Sequence, residues 1–166
     1  MQRSPPWSTI EENPTWYEDM TKTLDLFERS THTTNLWLAE LSQALGQEDR
    51  AGAYRVLRAV LHTLRDRVPH NEATQFAAQL PTLLRGVFYE GWRPAQTPEP
   101  YRDVETFLTR IATEAGLVGE TEASLAVAAT MSVLHRHVSG GELDDVLSVM
   151  PASLRTLLYK TGNASS

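Results

Sequence analysis

Length, composition and charge exclude several classes of protein. The 166 residues suffice for one compact domain or two small units that share a core. The absence of cysteine excludes disulfides, thiolate metal ligands and a thiol nucleophile. The formal net charge of −6 makes nucleic acid an unlikely partner, because such binding neutralises phosphates with basic residues.

The first predicted element is an amphipathic helix over about residues 14–29. Asn13 and Pro14 suit a helix cap and a first helical position. We assign residues 1–31 to an N-terminal extension and expect its helix to pack on the unit that follows. The apolar stripe of this helix consists of Trp16, Met20, Leu24 and Phe27.

The remaining chain is predicted to contain one helical unit written twice. Residues 36–89 align with residues 106–159, without a gap, at an offset of 70 positions. The prediction is an all-α compact bundle, a tandem duplication of a four-helix unit preceded by the N-terminal helix. The identical pairs include Leu38 with Leu108, Gly46 with Gly116, Leu64 with Leu134, Pro81 with Pro151, and Tyr89 with Tyr159. The predicted boundaries are 32–92 and 104–160 for the units, 93–103 for a proline-rich connector and 161–166 for a tail.

Helix boundaries within each unit follow from local signals. His32 precedes a predicted helix start, which Thr33, Thr34 or Asn35 can cap. Gly46 suits the end of that helix. Pro81 and Pro151 mark sharp corners between the third and fourth helices. Ser139 and Glu142 form a capping-box pattern, whereas Pro69 stands where the first unit would need that serine.

The two units differ along their second helix. In the first unit this helix carries a basic stripe, which we expect on the outside of the molecule. The stripe consists of Arg55, Arg58, His62 and Arg65. In the second unit the helix is apolar nearly all round, so residues 122–137 are predicted to lie in the middle. The basic stripe is either a solvated face, a seat for the acidic N-terminal helix, or a site for an external anion.

Two further groups are candidates for function. The aromatic ending of the fourth helix, Tyr89, Glu90 and Trp92, is expected near Trp37 if the helices fold back. Core packing is the plain interpretation, and a ligand cleft or partner surface is the alternative. Two structural ion pairs are also predicted between the third and fourth helices. They join Glu72 to Arg85 and Glu142 to Arg155.

No pattern of residues predicts catalysis or a metal site. His135 and His137 point to opposite sides of a helix, so they do not share a metal ion. The sequence has no glycine-rich phosphate loop and no strand for a serine elbow. We expect no catalytic residues, no cofactor and no metal.

Four segments together resemble a known family. They read "HTTNLWLAEL", "YRVLRAVLHTLRDR", "QLPTLLRGVFYEGW" and "HVSGGELDDVLSVMP". From about His32 to Leu158 the chain resembles the prokaryotic family catalogued as domain of unknown function 2267. The resemblance implies an all-helical duplicated fold and no established activity. Pro69 departs from the polar cap expected at its position.

These observations favour a non-catalytic, cytoplasmic interaction or regulatory module with an unidentified protein partner. A homodimer through the aromatic first unit is a further expectation. No apolar run is long enough to cross a bilayer, so we expect no membrane segment. The alternatives are a small-molecule binder or enzyme with a cleft between the units, and an anion or nucleic-acid binder that uses the basic stripe.

Overall fold

The computed structural model describes residues 15–162, which are built from helices. No strand occurs in this range, and the all-α prediction is confirmed. The predicted cap at Asn13 and Pro14 and the side chain of Trp16 lie outside the described residues. The helices are α1 (Thr15–Ala44), α2 (Arg50–Arg67), α3 (His70–Ala78), α4 (Thr82–Tyr89), α5 (Val104–Ala115), α6 (Gly119–His137), α7 (Gly140–Ser148) and α8 (Ala152–Gly162).

The first helix is longer than predicted. α1 runs without a break from Thr15 to Ala44, so His32 lies within it and does not precede a new helix. The cause is visible in the sequence, since no glycine or proline occurs between these two residues. Threonines can cap a helix, but capping residues do not interrupt a helix whose apolar pattern continues on both sides of them.

The predicted corners and helix ends are found in the structure. Gly46 and Gly116 follow α1 and α5 with φ angles of +67° and +70°, a conformation that glycine adopts without a Cβ clash. Pro81 is the N-cap residue of α4. At the start of α7, Ser139 Oγ accepts a hydrogen bond from the amide of Glu142, whereas Pro69 provides no side-chain cap to α3.

One continuous apolar core includes residues from both predicted units. α6 packs against α1, α2, α5, α7 and α8, and α2 packs against α1, α4, α5 and α6. The predicted burial of residues 122–137 holds for most of the helix, but Leu125 is 64% exposed and His135 to His137 face solvent. The largest fully buried side chains are Trp37, Phe76, Phe88 and Phe107. Each contributes about 1.5–3 kcal/mol or more through burial.

The connector between α4 and α5 is fastened to the body. It contains a short 3-10 turn, Pro94–Gln96. The amide of Glu99 donates to the carbonyl of Asp66 at 2.8 Å. Arg67 Nε donates to the carbonyl of Tyr101 at 2.7 Å. These bonds hold the extended segment along the end of α2.

Over residues 15–162, no single helix has both the length and the apolar composition needed to cross a membrane. α5 and α6 meet these criteria only together, and they are bent by 85° relative to each other.

Candidate functional site

The basic stripe of α2 is largely turned inward, which contradicts the predicted outer face. His62 is 5% exposed and Arg65 is 4% exposed. Arg55 stays at the surface, where it lies 4.0 Å from the carboxylate of Asp49. The sequence missed this burial because the groups that pair with the stripe come from distant parts of the chain.

A charged cluster joins α2 to α5 and to the end of α4. Arg58 donates to Glu114 at 2.6 Å and to Glu90 at 3.2 Å. Nδ1 of His62 lies 2.7 Å from the same Glu114 oxygen, and Nε2 lies 2.6 Å from the carbonyl of Val87. Glu114 therefore contacts two members of the basic stripe.

Arg65 secures the end of α4. Its Nη1 donates to the carbonyls of Phe88 and Glu90, at 2.5 Å and 2.9 Å, and its Nε donates to Asp66. Carbonyls at a helix C-terminus lack intrahelical donors and carry partial negative charge. The guanidinium satisfies both needs, so Arg65 has a structural role.

The electrostatics of the cluster agree with this pairing. Burial pushes the pKa of Glu114 upward, but the hydrogen bond from His62 and the charges of His62, Arg58 and Arg65 outweigh it and lower the pKa. The hydrogen bond and charge of Arg58 lower the pKa of Glu90. The hydrogen bond to Glu90 raises the pKa of Arg58 despite partial burial. The charged forms are the stable ones here.

The aromatic residues form two separate groups. Tyr89 and Trp92 contact each other at 5.4 Å between ring centres, and His70 meets Trp92 edge-on at 5.7 Å. Trp37 instead stacks on His137 of α6 at 4.9 Å. The expected approach of Trp37 to the end of α4 is thus replaced by a contact with the second half of the chain.

Arg85 and Arg155, which stand 70 positions apart in the sequence, do not form the predicted ion pairs. Arg85 donates to the carbonyls of Ala77, Ala78 and Leu80, at the end of α3 and in the turn that follows. Arg155 likewise donates to the carbonyls of Ser148 and Met150 after α7. A carbonyl cluster at a helix end attracts a guanidinium without any carboxylate. Glu72 and Glu142 are paired with neither arginine.

The N-terminal half of α1 carries an exposed apolar stripe. Met20, Leu24 and Phe27 are 46%, 53% and 59% exposed, and we call these three side chains the α1 stripe. Residues 18–29 are all exposed, whereas Ser30 is buried against α4. The sequence predicted the stripe correctly but also predicted that it packs on the first unit. The described residues show it uncovered.

A cleft of about 420 Å³ lies where α1, α2, α5 and α6 come together. Its walls are polar and apolar in about equal measure, with the guanidinium of Arg55 and the carboxylate of Glu122 among the lining groups. Neither His62 nor Arg85 reaches it. The lining residues are Leu45, Gln47, Gly52, Arg55, Val56, Ala115, Gly116, Leu117, Glu122, Leu125 and Ala126.

The described part of the chain brings together no three His, Asp or Glu side chains as a possible metal site.

A family model described as "Uncharacterized conserved protein (DUF2267)" matches residues 34–157. The chain belongs to this family. Comparison with curated proteins gave no match.

The DUF2267 match covers the helical body and begins inside α1. The exposed half of α1 precedes the matched residues, so the α1 stripe lies outside the region that defines the family. This DUF2267 protein therefore combines a body in which Arg58, His62 and Arg65 are paired internally with a helical arm whose apolar side chains are open to solvent.

Proposed function

We propose that this protein is a non-catalytic, cytoplasmic interaction or regulatory module, and that the α1 stripe is its docking surface. The proposal rests on the exposure of Met20, Leu24 and Phe27 along one side of a helix that projects from the body. Isolated exposed apolar residues are ordinary, but a row of them on a projecting helix is typical of a surface that binds another helix or groove.

The energy available from this surface is substantial. Full burial of a large apolar side chain contributes about 1.5–3 kcal/mol, and the three members of the stripe are each about half exposed. A partner that covers them gains several kcal/mol before it loses translational and rotational freedom. An amphipathic helix in an apolar groove is a common arrangement for binding of this size.

The internal pairing of the basic stripe argues against anion or nucleic-acid binding. Arg58 and His62 are engaged by Glu114, and Arg65 is engaged by carbonyls of α4. A phosphate would have to displace these partners, and the net charge of −6 would oppose its approach. Among the four residues of the stripe, Arg55 is the one whose side chain is more than half exposed.

Affinity purification of the tagged full chain from its native host tests the proposal. A wild-type bait is compared with Leu24→Asp and with the control Leu26→Asp. Leu26 is 60% exposed and lies on a different side of the same helical arm, so the chemical change is matched. We expect a partner that Leu24→Asp loses and Leu26→Asp keeps. Equal recovery with all three baits would reject the α1 stripe as the docking surface.

A second candidate function is binding of a small amphipathic molecule in the cleft, whose walls combine polar and apolar groups. Its volume of about 420 Å³ lies within the range of ligand sites, and Arg55 at its edge suits a carboxylate. The test is a thermal-shift screen of short fatty acids against the wild type and Leu125→Glu. A ligand that stabilises both proteins equally does not use the cleft.

We further propose that the chain arose by tandem duplication at the 70-residue offset. Two observations support it. α3 begins at His70 and α7 at Gly140, while α4 begins at Thr82 and α8 at Ala152. The cleft is also lined by residues 45, 47, 52, 55 and 56 together with 115, 117, 122, 125 and 126. Backbone superposition of residues 36–89 on 106–159 tests the proposal, and unrelated traces would reject it.

A further inference from the structure

We infer that the occupant of the α1 stripe is a second copy of this chain, bound as an antiparallel pair of α1 arms centred near Leu24. This inference rests on the proposed function and names its partner. It assigns the arm a homotypic role, which the helical body by itself does not require.

The apolar residues along α1 follow the register of a coiled coil. Met20, Leu24 and Phe27 stand at alternating spacings of four and three residues, the spacing of a coiled-coil seam. The same spacing continues through two polar residues, Thr31 and Thr34, to Leu38, Leu41 and Leu45, which pack on or lie within the core. The exposed stripe is therefore the continuation of a helical seam that the body already covers at its other end.

The residues that flank the α1 stripe carry little charge. In a two-helix contact the residues that flank the seam decide whether identical helices repel each other. Here the flanking positions hold Thr21, Thr23, Glu28 and Ser30, so only one of them is charged. The other charged side chains of the arm stand away from the seam. They are Glu18, Asp19, Lys22, Asp25 and Arg29. A second copy meets no like-charge pair across such a seam.

The relative direction of the two arms follows from the position of the body on α1. From Ser30 onward one side of the helix packs against the body, so we confine the pairing to residues 15–29, a length of about 22 Å. An antiparallel pair places the two bodies at opposite ends of the contact, where they do not collide. Centring the pair near Leu24 sets Met20 of one copy beside Phe27 of the other, which covers all three members of the stripe.

The size of the contact sets its strength. An arm of about four turns buries less than the roughly 800 Å² per partner of a standard interface. The dimer is therefore reversible and depends on protein concentration. The change of the dimer fraction with protein concentration can therefore be measured.

Sedimentation velocity of the full chain over a concentration series measures the association. We expect a monomer–dimer equilibrium for the wild type and an association at least about tenfold weaker for Leu24→Asp, a loss equivalent to about 1.4 kcal/mol. Leu26→Asp should associate like the wild type. Circular dichroism of each variant checks that helix content is retained.

Cysteine cross-linking tests the geometry independently. The chain has no cysteine, so Leu24→Cys introduces a single thiol. Near the centre of an antiparallel pair, two such thiols approach closely enough to form a disulfide under mild oxidation. We expect efficient cross-linking of Leu24→Cys and little of Leu26→Cys at the same protein concentration.

A wild type that stays monomeric throughout the series, with no selective cross-linking at Leu24, would overturn the second-copy inference. Equal weakening by Leu24→Asp and Leu26→Asp would overturn it as well. The proposed function fails separately. A monomeric protein that still captures a host partner through Leu24 retains the docking surface and loses only the homotypic partner.

Discussion

The imidazole of His62 lies between two hydrogen-bond acceptors, with Nδ1 2.7 Å from Glu114 and Nε2 2.6 Å from the carbonyl of Val87. A carboxylate and a carbonyl both accept hydrogen bonds, so the ring satisfies both only when each nitrogen carries a hydrogen. The ring bridges α4 and α5 from its place on α2. This bridge links residues that are 25 and 52 positions away in sequence.

A double-mutant cycle with His62→Leu and Glu114→Gln measures this bridge. Each single change should destabilise the fold, and the double change should cost less than their sum, with a coupling of about 1–3 kcal/mol. Urea unfolding of the four proteins gives the free energies. The control cycle uses His135→Leu and Glu105→Gln, two exposed residues on α6 and α5, and should give additive effects. Additivity at positions 62 and 114 would contradict the bridge.

The lowered pKa of Glu114 predicts a stability difference that depends on pH. A carboxyl with a lowered folded-state pKa stabilises the fold fully above its ordinary value of 4.5 and loses that stabilisation as pH falls through the folded pKa. Glu114→Gln should therefore be less stable than the wild type at pH 7 by about 1–2 kcal/mol. The gap should close below about pH 4.5. Urea unfolding across this range measures it, and a gap independent of pH would contradict the assignment.

Arg85 is predicted to stabilise the α3–α4 corner through carbonyl oxygens. Arg85→Gln removes a charged donor from three carbonyls, so we expect a loss of about 1 kcal/mol in the free energy of unfolding. Glu72→Gln should change it by less than about 0.5 kcal/mol, because Glu72 does not contact the guanidinium. Equal losses of unfolding free energy in both variants would contradict this assignment and favour the Glu72–Arg85 ion pair predicted from the sequence.

Local signals in the sequence predicted the local features of the fold. Pro81 is the N-cap of α4 and separates it from α3, because proline disfavours helix in the residue before it, and Gly46 and Gly116 follow helices with positive φ because they lack a Cβ. These outcomes depend on neighbours within a few residues. The failed break at His32 was also a local inference, and it failed because capping residues permit a helix start without imposing one.

The features of the site that the sequence missed are non-local. Nothing near His62 in the chain reveals that Glu114 will lie beside it, so the basic stripe was expected on the surface. The α1 stripe, by contrast, was predicted from local sequence. Its apolar spacing was evident at Met20, Leu24 and Phe27, but spacing predicts a face that needs cover and does not say what covers it.

Ser30 marks the point where α1 enters the body, and it is predicted to cap a different helix. Its Oγ accepts the amide hydrogen of Leu83 at 3.1 Å, in the first turn of α4. Pro81 occupies the N-cap position and offers no side-chain acceptor, so this amide depends on α1. The hydroxyl thus does for α4 what a local serine does for most helices.

Ser30→Ala should lower the free energy of unfolding by about 1 kcal/mol, the usual cost of losing a cap. Alanine also favours helix within α1, and Ser124→Ala on α6 measures that opposite effect at a partly buried serine. We expect Ser124→Ala to be neutral or slightly stabilising. Hydrogen exchange at the Leu83 amide should accelerate in Ser30→Ala alone, because only that variant leaves the donor without an acceptor. Unchanged exchange would show that α4 does not depend on Ser30.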